Sequence, residues 1–348
     1  MRSTKHQARL NHESYTVALI CPLEVDLSAA RYMLDEEHQR LPGNELDPNS
    51  YTLGTLGGHN VVVTALPEGS QGPIAAATVA THLSRSFPAV ELRLLVGIAG
   101  GVPGGKFDIH LGDVVVSAPT GTLGGVVEYD MGQETVAGFQ RKGLLCPPPA
   151  QWRSTMTKMK SDHRTQPHRI DEFVREMIQR HPESKEYWRP PPERDVLFAA
   201  DYEHVGEGAP CAHCDKGKAV SRARRTQPMT SEIFYGLIAS GNRVIKSGIR
   251  RDILAQEAGG AICFEMEAAG LMNDFQCIVI RGIANYCDSH KNDHWNGYAA
   301  AAAAAVAKEM LTYIQPAVAS RDTHRLRDWR VEFSEELHPC NWRDAREG

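Results

Sequence analysis

Residues 92–101 read Leu-Arg-Leu-Leu-Val-Gly-Ile-Ala-Gly-Gly. Leu92 to Val96 is a short, mostly apolar run of the kind found in a strand covered on both faces, and Gly97 to Gly101 reads as a glycine-rich turn at its end. Similar runs lie on either side. Thr16 to Cys21 (TVALIC) and Val61 to Ala65 precede it, and Asp113 to Ser117, Ile262 to Gly270 and Cys277 to Ile283 follow. Helical segments separate them: Leu27 to Leu34, then Ile74 to Leu83 after a Gly/Ser/Pro turn at Glu68 to Pro73, and finally about Tyr298 to Ile314, which holds seven consecutive alanines. Buried strands alternating with helices predict a single α/β domain whose central sheet is mostly parallel and flanked by helices.

The rest of the chain sets limits on this reading. Its 348 residues are 42% hydrophobic, enough for a sizeable core, and the net charge of -5 leaves no footprint for a nucleic-acid polymer. No apolar run reaches the roughly 18 residues that a membrane span needs. Residues 1–14 carry no apolar stretch and read as a disordered tail without a secretory signal. Eight cysteines in such a chain, with Cys21, Cys263, Cys277 and Cys287 in or beside apolar runs, read as free thiols in a reducing, cytoplasmic setting. Residues from about 133 to 228 are polar and proline-rich, with one surface helix expected at Glu172 to Gln179. They read as an insertion into the sheet domain rather than a second core. The domain is therefore expected to span 15–316, followed by a C-terminal extension at 317–348.

Ligands of open α/β sheets bind where loops leave the carboxyl ends of the strands. Four such ends here hold Pro22-Leu23-Glu24-Val25-Asp26, Gly97 to Val102, Phe264-Glu265-Met266-Glu267-Ala268-Ala269-Gly270, and Arg281 to Asp288. Carboxylates at strand ends commonly cap the helix that follows, and Asp26 alone fits that role. Two acids flanking one methionine in an apolar stretch, as in Glu265-Met266-Glu267, are harder to explain as caps.

Taken together, LICPLEVD, VGIAGGV followed by LGDVVVS, FEMEAAG and IRGIANYCDSHKN resemble the purine nucleoside phosphorylase/uridine phosphorylase superfamily over roughly 15–134 and 229–316. The resemblance is closest to the methylthioadenosine/S-adenosylhomocysteine nucleosidases and to the nucleoside-phosphorylase-like domains of fungal proteins. It implies that Glu267 accepts hydrogen bonds from ribose hydroxyls, a task suited to an ionised acceptor. It places Met266 beneath the sugar, unless Met266 is core, and Glu265, Ile98, Ala99 and Gly100 beside the substrate. The backbone at Val244 and Ile245 would meet the base, and Phe264 would either stack on the base or belong to the core.

The same resemblance distinguishes water from phosphate as nucleophile. In the phosphorylases an arginine precedes Val-Gly-Ser, and both the arginine and the serine hold phosphate. Here those positions are Leu95 and Ile98, so the cation and the donor have become apolar. Arg93 shares Leu95's face by strand alternation and leaves a rescue open, with Arg31 also near in sequence. Asp26 matches the acid that activates water in the nucleosidases, with Glu24 as the lesser candidate. Where the nucleosidases place an aspartate that protonates purine N7, this chain has Asn285. An amide cannot supply a proton, but its NH2 can donate to N7 or to a 6-oxo oxygen. Asp288 is either a second acid or a helix cap.

The expectation is therefore hydrolysis of the N-glycosidic bond of a purine ribonucleoside or nucleotide by a homo-oligomer that needs no metal or organic cofactor. A phosphorylase and a non-catalytic nucleotide-sensing module are the alternatives. One further motif stands apart. Cys211-Ala212-His213-Cys214 is a single CxxC, short of the four ligands of a structural zinc site unless His204 or His213 and a distant residue complete it, and it reads as a pair of free thiols. The basic stretch Arg222-Ala223-Arg224-Arg225 reads as a solvated loop or, with a nucleotide substrate, as a phosphate contact.

Overall fold

A computed structural model describes residues 10–206, 211–222, 225 and 230–316. The expected extension at 317–348 and residues 1–9 of the expected tail lie outside the described residues. Within the expected tail, His12–Ser14 is a short 3-10 turn closed by reciprocal Asn11–Ser14 hydrogen bonds of 3.0 and 2.9 Å, with the His12 ring tilted against Phe87 at 5.1 Å.

The chain runs β1 (Val17–Cys21), α1 (Glu24–Tyr32), β2 (Glu36–Glu37), β3 (Tyr51–Leu56), β4 (His59–Ala65), α2 (Pro73–Ser86), β5 (Leu92–Gly101), β6 (Val114–Ser117), β7 (Val126–Glu128), and a hairpin of β8 (Gly132–Thr135) and β9 (Gly138–Arg141). It continues with α3 (Ala150–Asp162), α4 (Ile170–Arg180), β10 (Ile233–Gly236), β11 (Ile238–Ser240), α5 (Gly248–Glu257), β12 (Cys263–Glu265), β13 (Ile278–Asn285) and α6 (Asn296–Thr312). The main sheet has the order β10-β6-β13-β5-β1-β4-β3-β2. The central pairs β13–β5, β5–β1 and β1–β4 are parallel, while β6 runs antiparallel to β13 and β3 to β4. The sheet is thus mixed and mostly parallel at its centre, as expected.

The long strand β5 joins this sheet to a second group of strands. Its last residues, Gly100 and Gly101, pair antiparallel with Phe264 and Cys263 of β12, and β12 in turn pairs with β11, which pairs with β7. The glycines expected to form a turn are therefore strand. Close approach explains them: a Cβ on Gly100 would lie 2.1 Å from Cys287 Sγ, and one on Gly101 would lie 2.8 Å from Ile283 Cγ2. The expected strand at 262–270 is shorter than its apolar run, because β12 stops at Glu265 and the chain turns through a 3-10 segment at Ala268–Gly270.

The inserted segment contributes more than a polar surface. Trp152, Met156 and Met159 of α3, and Ile170, Phe173, Val174 and Met177 of α4, are buried in the same core as the sheet. These helices, with α1, cover α6, whose alanines are buried on every side. Two polar residues of α6 are buried too, and each is paired: Lys308 with Asp35 at 2.6 Å, and Glu309 with His163 and the Arg169 N–H, both at 3.1 Å. Two of the arginines expected in a solvated loop, Arg222 and Arg225, are anchors, and Arg224 lies outside the described residues. Arg222 pairs with Asp195 at 3.1 Å, and Arg225 grips both oxygens of the fully buried Asp113 at 2.7 and 2.6 Å. Asp113 on its own would be an uncompensated buried charge, and the insertion supplies the compensation. Among the described residues no helix is long and apolar enough to cross a membrane.

Candidate active site

The carboxyl ends of β1, β5 and β13 open on the same side, and β12 enters there from the second strand group. Asp26 sits in the first turn of α1 and is 1% exposed. One carboxylate oxygen accepts the Leu23 N–H at 3.2 Å and so caps α1. The other accepts the Ile98 N–H from β5 at 3.1 Å. The cap and the site residue are the same group, so the two readings of Asp26 do not compete. Glu24, by contrast, is exposed and accepts the Ser28 hydroxyl at 2.7 Å.

Beside Asp26 stands Arg281, in the middle of β13 and 1% exposed. A Cβ on Gly97 would lie 2.6 Å from Asp26 Oδ2 and 2.8 Å from Arg281 Nη1, so glycine there leaves room for both the acid and the guanidinium against β5. Arg281 Nη2 pairs with Glu265 and, at 3.1 Å, with Glu267. Glu265 also accepts the N–H groups of Glu267 and Ala268, each at 3.1 Å, which fixes the turn carrying Glu267. Glu267 accepts the Gly72 N–H at 3.2 Å, which brings the loop before α2 into the site. Gly72 has φ 88°, and a Cβ there would strike Asn242 Oδ1 at 2.5 Å.

Burial and mutual charge set the protonation of this cluster. Burial pushes Asp26 up to about 7, against the pull of Arg281 and the two backbone N–H groups and with a push from Glu267. Burial likewise raises Glu267; Arg281 opposes the rise and Glu265 adds to it. Burial works against the charge on Arg281, yet Glu265, Glu267 and Asp26 outweigh it and hold the guanidinium ionised. Three acids thus share one cation in a dry site.

Asn285 lies at the end of β13, 7% exposed, just past a register shift after Ile283. Its Oδ1 accepts the Cys287 N–H at 3.1 Å. That geometry depends on Cys287 adopting a left-handed φ of 53°, rare for a residue with a side chain. Asp288 is 6% exposed and accepts the His290 N–H at 2.9 Å, which makes it a turn cap.

The remaining candidates divide. Ile98 and Gly100 line the junction through their backbone, and Ala99 is buried between them. Met266 is half-buried next to Gly72. Phe264 packs edge-on against Tyr129 at 5.3 Å within a second core cluster that includes Cys287, so its face is spent on the core. Ile245 joins that cluster, whereas the Val244 side chain is 52% exposed. Arg281 was not singled out from the sequence. Its signal was there: one charge inside the apolar strand Ile278-Val279-Ile280-Arg281 must find partners when buried. A cleft of about 290 Å³, lined by His12, Arg40, Asp47, Tyr51 and Phe87 among others, lies beside β3 and the end of α2 and shares none of these carboxylates.

No family model matches the chain. The solved structures it superposes on include futalosine hydrolase of Helicobacter pylori, with a TM-score of 0.54 and 15% identity over 87% of this chain and all of that one. They also include the 5'-methylthioadenosine/S-adenosylhomocysteine nucleosidase of Neisseria meningitidis in complex with methylthio-immucillin-A, with a TM-score of 0.53 and 18% identity over 86% of this chain and 99% of that one. The chain has the nucleoside phosphorylase/nucleosidase fold. In sequence it is 42% identical over 335 residues to a nucleotide-binding leucine-rich repeat (NLR)-like protein of Hyaloscypha variabilis, covering 96% of this chain. It spans about a third (32%) of the length of that relative.

Proposed function

We propose that the chain hydrolyses the N-glycosidic bond of a purine ribonucleoside or nucleotide, releasing free base and the ribosyl product. The observation that carries this reading is the buried cluster of Asp26, Glu265 and Glu267 around Arg281. Glu267 would accept the ribose hydroxyls. Asp26, poised near neutral pH, would take a proton from the attacking water as its oxygen bonds to C1′. The bond from C1′ to the base nitrogen breaks with its electron pair on the base, and the positive charge on the ribosyl group falls beside the acids. Asn285 Oδ1 is engaged by Cys287, which leaves the amide NH2 to donate to the departing base. The base collects its proton from solvent. Glu265, saturated by Arg281 and two backbone N–H groups, would position Glu267 rather than touch substrate. Phe264 would back the base pocket from within the core.

Phosphate fits this site poorly. Arg281 is committed to two carboxylates. Arg93, the possible rescue, sits at the start of β5 with its guanidinium on the Val90 carbonyl at 3.2 Å, and Arg31 pairs with Glu37 at the surface. Apolar side chains stand out from the first turn of α2 and from the segments after β7 and β11, with Ile74 82%, Met131 54% and Val244 52% exposed, and they support a homo-oligomer. The test is chromatographic: free base and ribosyl product from a panel of nucleosides and nucleotides, with and without phosphate. Ribose 1-phosphate as product would overturn hydrolysis. The match to one third of an NLR-like protein favours a second reading, a module that binds a nucleotide without turning it over. Saturable binding in calorimetry with no base released would select it.

A further inference from the structure

Where the inserted segment meets His290 in the loop after β13, it gathers groups that are not explained by the fold or by the proposed reaction. His290 is 6% exposed, and neither ring nitrogen has a hydrogen-bond partner. A buried imidazole with both nitrogens unsatisfied is costly and calls for a missing partner. Its ring is stacked on Phe198 at 4.0 Å, with Tyr202 at 5.4 Å and His204 edge-on at 5.2 Å, all three from the insertion. The Cys211 thiol lies 3.7 Å from the His290 carbonyl oxygen, and Cys214 closes the same turn through its N–H to the Cys211 carbonyl at 3.1 Å. Both thiols are free, and Cys214 is buried.

The donor set is two imidazoles and two thiols, in the spacing His204-x6-Cys211-x2-Cys214 with a distant His290. That is the complement of a tetrahedral Cys2His2 zinc site. The surroundings suit it. His204 Nδ1 is 3.0 Å from the Gly206 carbonyl, which leaves Nε2 as the ligating atom. Asp288 Oδ1 lies 3.8 Å from His290 Nδ1, the place of an outer carboxylate that orients a ligating histidine, and Phe198 and Tyr202 form an apolar wall. His213, between the cysteines, is exposed. Among the described residues no three such side chains already stand at metal-ligand spacing. A zinc ion here would draw all four side chains inward, with the Cys211 thiol leaving the carbonyl of His290.

We propose that His204, Cys211, Cys214 and His290 bind one structural zinc ion that fastens the insertion to the loop bearing Asn285 and Asp288. The zinc donors come from two distant stretches of chain, so the ion adds a staple to the direct hydrogen bonds between them, such as the His204 N–H to Ser289 Oγ at 2.9 Å. The proposal is independent of the reaction, because metal content is read without substrate.

The test is elemental analysis of the purified full chain, followed by cobalt substitution. About one zinc per chain is expected, with loss in His290→Ala and in the Cys211→Ser/Cys214→Ser double variant and retention in His213→Ala. If the variants misfold, the cobalt-loaded parent chain still reports: intense visible bands of a tetrahedral thiolate–imidazole site support the proposal, and pale octahedral absorption overturns it. Fewer than about one zinc in ten chains after refolding with zinc present would also overturn it. So would an intact mass showing a Cys211–Cys214 disulfide in the freshly isolated protein, or zinc that persists in His290→Ala.

Discussion

Replacing Asp26 by asparagine should inactivate the protein and, above neutral pH, stabilise it. The carboxyl is pushed from its ordinary 3.8 to about 7 by burial. A carboxyl whose folded pKa lies above its unfolded value favours the fold fully below the unfolded pKa, and that contribution is lost as pH rises through the folded one. The rise from 3.8 to about 7 corresponds to about 4 kcal/mol surrendered by pH 8. Asparagine avoids that loss. It keeps one acceptor for the Leu23 or Ile98 N–H but turns an NH2 on the other, at a cost of about 1–3 kcal/mol, and it leaves Arg281 with one anion fewer. The net gain at pH 8.5 is then about 1–3 kcal/mol, shrinking toward pH 5 and reversing there. Urea unfolding of both proteins at pH 5, 7 and 8.5 measures it. Base release should fall by about 100- to 10,000-fold in the variant, while the parent's kcat climbs about tenfold per pH unit up to about 7 and then levels. Parallel stability curves across this range, or a variant that still releases base at the parent rate, would refute the reasoning.

Three other substitutions test neighbouring claims. Glu267→Ala should abolish base release and weaken binding of a ribosyl ligand by calorimetry; because it relieves a raised buried carboxyl, the fold should survive it, as circular dichroism would show. Gly100→Ala places a Cβ 2.1 Å from Cys287 Sγ and 2.8 Å from Asn285 Oδ1, so a loss of about 1–3 kcal/mol is expected together with reduced activity. Adding Cys287→Ala should restore part of the stability in a thermal melt. Phe173→Ala, in the inserted helix α4, should cost about 3–5 kcal/mol and lower the single unfolding midpoint, whereas a surface insertion would be nearly indifferent to it.

The central strands were legible because burial on both faces leaves continuous apolar runs, as in TVALIC at 16–21. Strands of the second group were harder to see. Val126–Glu128 and Ile238–Ser240 are three residues long, too short for any period to register. Of the two inserted helices, α4 was legible at 172–179 although not its burial, and α3 escaped for a different reason. Helix α3 buries only Trp152, Met156 and Met159 among lysines and threonines, so its apolar stripe is narrow, and its role appears only when α6 is seen to need a cover. At the site, acids at strand ends could be named individually. Their meeting could not, since the residue that joins them, Arg281, reads locally as one charge in an apolar strand. The residues that decide close approach, Gly97 and Gly100, read locally as a turn.

The charge count around Arg281 bears on the nucleophile more directly than the missing arginine and serine near residue 96. Three carboxyl groups face one guanidinium in the cluster, all nearly excluded from water, and burial already holds Asp26 and Glu267 back from ionising. An incoming phosphate dianion would add like charge to that excess. At about 4 Å and an effective dielectric of 20, each like-charged pair costs about 4 kcal/mol, more than a single shared guanidinium returns once it is already bound to two carboxylates. A neutral water meets no such penalty, and the cationic ribosyl group that forms as the base departs relieves the excess instead of adding to it. The same arithmetic applies to the substrate's other end. A triphosphate is admissible only if its 5′ group points out of the cluster, so a nucleotide substrate would have to place its phosphates at the rim formed by the loops that carry Gly72 and Asn242. There Arg243 is already half-exposed and only loosely tied to Asp130 at 3.9 Å. Arg243→Ala should therefore raise KM for a nucleotide and leave KM for the matching nucleoside unchanged; equal effects on both would place the 5′ group elsewhere.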